Sequence, residues 1–78
     1  MNTIKELDAV ALTTDLPAEG LEAGDIGTVV MIYGQGESYE VEFVGYDGHT
    51  IALLTLKPEQ IRSLSRGDVP HVRRLAAA

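Results

Sequence analysis

With 78 residues, no cysteine and a formal net charge of −6, the chain has room for one core that neither disulfides nor thiolate metal sites can supplement. It contains no run of eighteen apolar residues and no basic stretch leading into an apolar one, which argues against a membrane span or a secretory signal and makes a reducing cytoplasm the expected location. The charge is divided: two lysines against eleven carboxylates leave −9 over residues 1–60, whereas four arginines against Asp68 leave +3 over 61–78, a basic segment on an acidic body.

Glycine and proline cut the chain into pieces too short for an ordinary helix, and the pieces read as strands. The first runs from Asp8 to Thr13, with Val10 and Leu12 on one side, and a loop with Pro17 spans Leu16 to Gly20. A tight turn at Gly24 and Asp25 leads into GTVVMIY, Gly27 to Tyr33, which is rich in β-branched residues and closed by Gly34 and Gly36. SYEVEFV, Ser38 to Val44, has the clearest alternation: Tyr39, Val41 and Phe43 face one way, Glu40 and Glu42 the other. Asp47-Gly48 is a turn signal before the fourth strand, Thr50 to Leu56. One helical turn is expected at Pro58 to Gln60, and a short closing strand at Ile61 to Leu64. The tail, Ser65 to Ala78, carries a helix signal with Asp68 as cap and Pro70 in the first turn. Strands every eight to twelve residues without a crossover helix predict an all-β fold, a small antiparallel barrel of about five strands over residues 1–64 with a basic tail at 65–78.

Val10, Leu12, Val29, Val41, Phe43, Leu54 and Leu56 are the expected core, with Phe43 at its centre. Two strands have too much apolar surface for one wet face. In IALLTL, Ile51 and Leu53 oppose Ala52, Leu54 and Leu56, and in the second strand Val30 and Ile32 oppose Val29, Met31 and Tyr33. Either the chain's own ends cover this surface (Ile4 and Leu7, or Val69, Val72 and Leu75, across Ile51 and Leu53), or a partner or second copy docks there.

The remaining motifs favour structure over chemistry. Gly24, Asp25 and Gly27 suit a sharp turn whose glycines take positive φ and whose aspartate binds turn amides; a phosphate cradle needs consecutive glycine amides at a helix start and a lysine, which do not follow. His49 and His71 have no second histidine or cysteine at ligand spacing. Ser38, Ser63 and Ser65 sit in no nucleophile elbow, and Glu40 and Glu42 are the ordinary means of solubilising a strand face. No catalytic residue, cofactor or metal is therefore expected.

The stretch Leu21 to Leu56 resembles domain-of-unknown-function family 4926, short bacterial proteins with the pattern LxxGDxGTVV, then YxVEF, a glycine turn and an apolar strand. The matching residues are Leu21, Gly24, Asp25, Gly27, Thr28, Val29 and Val30, then Tyr39, Val41, Glu42 and Phe43, then Gly48 and Ala52 to Leu56. With ALTTDLPAEGL the resemblance covers residues 9–64 and leaves out the tail. GDxGTV is also similar to elements of ribosomal and transcription-factor KOW domains and of accessory subunits of some enzymes. These resemblances imply an SH3-like fold and no agreed activity, since one small barrel hosts many roles.

Phosphate contact needs lysine and arginine, and the acidic body argues against nucleic acid as the partner. Capture of proline-rich peptides needs an aromatic groove, and the chain has no tryptophan and only Tyr33, Tyr39 and Tyr46. The expectation is a non-catalytic protein-binding module, antitoxin-like, immunity-like or an adaptor, with Glu40, Glu42, Ile51, Leu53, Val30 and Ile32 meeting a basic partner. A homodimer through the same surface is included, and an accessory subunit of a larger enzyme is the alternative.

Overall fold

A computed structural model describes residues 3–75. Five strands, β1 (Ala9–Leu12), β2 (Ile26–Tyr33), β3 (Ser38–Val44), β4 (Thr50–Leu56) and β5 (Ile61–Ser63), form one antiparallel sheet in the order β4-β3-β2-β1-β5. Single 3₁₀ turns occupy Pro17–Glu19 and Pro58–Gln60. The fold is thus all-β, an SH3-like arrangement in which a 3₁₀ turn carries the chain from the fourth strand to a fifth that pairs with the first. No ladder joins β4 to β5 among the described residues, so the sheet curls around its core without being closed by hydrogen bonds.

The core follows from the two-residue period of strands. Val10 and Leu12 of β1, Val29 of β2, Tyr39, Val41 and Phe43 of β3, Ala52 and Leu56 of β4, and Ile61 of β5 are buried in one cluster, with Leu54 packed against it. In β3 and β4 the register pairs inner residues with inner ones: Tyr39 with Leu56, Val41 with Leu54, Phe43 with Ala52.

β2 breaks the period. Its pairing with β3 shifts between Val29 and Met31, so Val29 lies opposite Val41 and Ile32 opposite Tyr39. This bulge inserts one residue and reverses the phase of the strand beyond it. Ile32, expected on the outer face beside Val30, therefore packs against the core, while Met31 lies outside opposite Glu40.

Gly27 also differs from expectation. It lies within β2 and is absent from the glycines with positive φ, whereas Gly24 has φ +95° and Gly48 φ +88°. Gly27 pairs with Val10 across the ladder and faces the core. A Cβ there would stand 2.6 Å from Val41 Cγ1, 2.8 Å from Phe43 Cε2 and 3.0 Å from the Glu42 carbonyl oxygen. It is glycine for want of space and makes no turn.

The tail is not helical over its described residues, and Ala76 to Ala78 of the expected helix lie outside them. Asp68 accepts hydrogen bonds from the Ser65 amide at 2.8 Å and from Arg62 Nη1 at 3.1 Å. Its carboxylate closes a turn onto β5 instead of capping a helix. The segment beyond has no regular secondary structure and reaches the turn before β2 through Arg73 and Asp25, with Val69 86% and Val72 90% exposed and Leu75 41%. Those valines do not shield Leu53. At the other end Ile4 packs against the inner core and Leu7 is exposed.

Candidate functional site

The outer face of β2, β3 and β4 brings together the two glutamates singled out in the sequence. Glu40 lies between Met31 of β2 and Thr55 of β4, and Glu42 between Thr28 and Leu53, because paired residues of neighbouring strands share a face. Both carboxylates are held by hydroxyls. Thr55 Oγ1 donates to Glu40 Oε1 at 2.6 Å, Tyr33 Oη donates to the same oxygen at 3.2 Å, and Thr50 Oγ1 donates to Glu42 Oε2 at 2.7 Å. Partial desolvation, and then the Glu40 charge, push the Tyr33 phenol above its usual range.

Apolar side chains surround this acidic pair. Leu53 is 53% exposed, Val44 49% and Met31 47%. Ile51 and Val30 are exposed at positions where the ladders shift register, and Ile32 contributes nothing to this face. Met31 and Val44 join this face in addition to the expected residues: the bulge turns Met31, which simple alternation places inward with Val29, to the outside, and Val44 continues the outward phase of Glu40 and Glu42. Counting two residues on from Glu42 would have found Val44.

A second cluster forms where the tail crosses the turn before β2. Gly20, in left-handed conformation at φ +73°, ends the first 3₁₀ turn. Asp25 Oδ2 accepts from the Glu22 amide at 2.8 Å, which fixes the carboxylate within its own turn as expected of an aspartate there. Arg73 then binds it in a bidentate fork, Nε donating to Oδ1 at 2.9 Å and Nη2 to Oδ2 at 2.5 Å. The same Nη2 also donates to the Gly20 carbonyl at 2.9 Å, and Glu22 Oε2 lies 3.7 Å from Nη1. Both charged side chains are largely covered, Arg73 at 27% and Asp25 at 18% exposure. The guanidinium fork holds the Asp25 carboxyl below the usual carboxylate range, against the opposing effect of burial.

Beside this ion pair lies a groove of 330 Å³, lined by Leu21, Ile26, Val44 and Ile51 from the barrel and by Val72 and Leu75 from the tail. At the far end of β3, Asp47 Oδ1 accepts from the His49 amide at 3.1 Å within the Gly48 turn, and Asp47 Oδ2 meets His49 Nδ1 at 2.9 Å. These are local turn contacts. Among the described residues no three His, Cys, Asp or Glu side chains converge as metal ligands do, and no helix is long and apolar enough to cross a membrane.

Strand order, the 3₁₀ turn before β5 and the glycine-aspartate turn before β2 together define a small SH3-like all-β domain. The chain belongs to the family described as Domain of unknown function (DUF4926), whose profile matches residues 6–63. The match includes Gly20, Glu22 and Asp25 and ends before Arg73. No curated protein and no solved structure matches the chain.

Proposed function

We propose that this domain is a non-catalytic protein-binding module whose outer β2–β4 face meets a basic partner. The observation that carries the reading is the pair Glu40 and Glu42, aligned by Thr50 and Thr55 hydroxyls and bordered by exposed Met31, Val44 and Leu53. Carboxylates already oriented lose less freedom on binding, and apolar neighbours supply area whose burial is favourable. The −9 charge of residues 1–60 speeds encounter with a positive partner and disfavours an acidic one. An antitoxin-like, immunity-like or adaptor role in a bacterial cytoplasm fits this chemistry.

The test uses the purified chain as immobilised bait in a lysate of its own host at low salt, beside Glu42→Lys and Leu53→Lys. Both positions lie on the outer face, so melting temperatures should stay near wild type, as surface substitutions shift stability by only about 0.5 kcal/mol. A basic protein retained by wild type, lost from both variants and weakened by salt is the expected result. Retention that ignores both substitutions, or no retained protein at low salt, would overturn the reading.

A further inference from the structure

The geometry points to a second binding site, a receptor for an arginine side chain in a segment of another protein, formed by Asp25, the Gly20 carbonyl and Glu22 and occupied in cis by Arg73. It lies apart from Glu40 and Glu42, with Val44 and Ile51 at the border of both surfaces, and its polar receptor does not depend on the outer-face reading. The receptor half is complete without the tail. Asp25 is fixed by the Glu22 amide, and Gly20 is set by the 3₁₀ turn it terminates. Two carboxylate oxygens and a carbonyl thus present three acceptors to one planar guanidinium, a side-by-side pattern that matches arginine's fork and that the single nitrogen of a lysine ammonium meets less well.

The polar anchor of the occupant is this one side chain, and its apolar anchor is Leu75, which lines the groove at 41% exposure. Val72, next to Arg73, is 90% exposed and Val69 86%, so apart from Leu75 the tail contributes little apolar burial to its own docking. The barrel wall of the groove, Leu21, Ile26, Val44 and Ile51, is shared with Val72 and Leu75 while the tail is docked, and displacement of the tail frees it for larger apolar neighbours of an incoming arginine. Receptor residues fall within the family's domain and Arg73 outside it. The partner is accordingly a basic segment with arginine flanked by bulky apolar residues, and the tail is its weak competitor.

Arg73 follows the last residue of β5, Ser63, by ten positions, and a tether of that length holds its end at an effective concentration on the order of 1 mM. For a free peptide with a dissociation constant of about 100 μM, such a competitor weakens apparent binding about tenfold.

The probe is a fluorescein-labelled peptide with the sequence of residues 65–75, titrated by anisotropy into full-length wild type and full-length Arg73→Gln. We expect binding about tenfold tighter to Arg73→Gln, loss of binding when the arginine at peptide position 73 is replaced by glutamine, weaker binding when it is replaced by lysine, and competition by free arginine. Asp25→Asn should abolish binding; because Asp25 also holds its turn, the peptide substitutions keep the test decisive if that variant fails to fold. Equal affinity for wild type and Arg73→Gln, or indifference to the peptide arginine, would overturn the inference. So would a wild-type dimer that dissociates on Arg73→Gln, which would make the occupant a second copy's tail.

Discussion

Gly27→Ala is the sharpest test of how the core dictates this sequence. The substitution adds one methyl group in a strand, at a residue whose backbone has no need of glycine's positive φ. It brings that methyl to 2.6 Å from Val41 Cγ1 and 2.8 Å from Phe43 Cε2. Neither neighbour yields cheaply: Val41 is stiff at χ1 and fully buried, Phe43 is 2% exposed, and the third contact, at 3.0 Å, is backbone of the paired strand. Overpacking of this kind costs about 2–3 kcal/mol, against a total of roughly 4–12 kcal/mol for a domain of this size. The expected loss is roughly 8–24 °C in melting temperature by circular dichroism. Gly24→Ala separates space from conformation, because that position has φ +95° and nothing within 4 Å of a Cβ; it should cost about 1–2 kcal/mol through backbone strain alone. Adding Val41→Ala removes the closest clash, so the double variant with Gly27→Ala should exceed the sum of the singles by about 1 kcal/mol in stability, while Gly24→Ala should show no such coupling. A Gly27→Ala protein melting within about 2 °C of wild type would refute the packing argument.

Phe43→Ala removes the ring at the centre of the cluster and should cost about 3–5 kcal/mol, leaving a largely unfolded chain by near-UV dichroism and urea titration. The phase reversal in β2 predicts opposite outcomes for adjacent residues: Ile32→Lys places a charge against the core and should lower stability by at least about 2 kcal/mol, whereas Met31→Lys should stay within about 0.5 kcal/mol. Asp25 has a folded-state pKa below the ordinary 3.8, so its stabilisation is complete above the unfolded-state value and lost as pH falls through the depressed folded one. Melting temperature followed below about pH 4 should therefore fall less steeply in Arg73→Gln than in wild type, the difference isolating this carboxylate from Asp47 and Asp68, which are depressed too.

Most of the fold is legible in the sequence because its signals are local. Alternation in SYEVEFV and the Asp47-Gly48 turn place β3 and β4 to the residue, and Pro58 marks the 3₁₀ turn before β5. What escapes is whatever depends on distant neighbours. One extra residue at the bulge in β2 leaves every side chain its type but reverses its face, which misplaces Ile32 and hides Met31. Gly27 carries no sign of whether it is small for a turn or for Val41 and Phe43. In the tail, Asp68 and Pro70 resemble a helix start, yet Arg62 and the Ser65 turn claim that carboxylate first. Arg73 and Asp25 stand 48 positions apart, and only the opposed charge of body and tail hints that they meet.

β4 sits at the border of the sheet, and its seven residues, TIALLTL, hold no charge and no proline. Such a strand, freed from its fold, has the composition that stacks against copies of itself. In the native domain the register shift opposite Val44 bends one end of it, and Lys57-Pro58 stops the other. Variants that loosen the interior should therefore lose soluble yield along with melting temperature, and yield in the clarified lysate becomes a sensitive gauge of how well the inside of this small domain is packed.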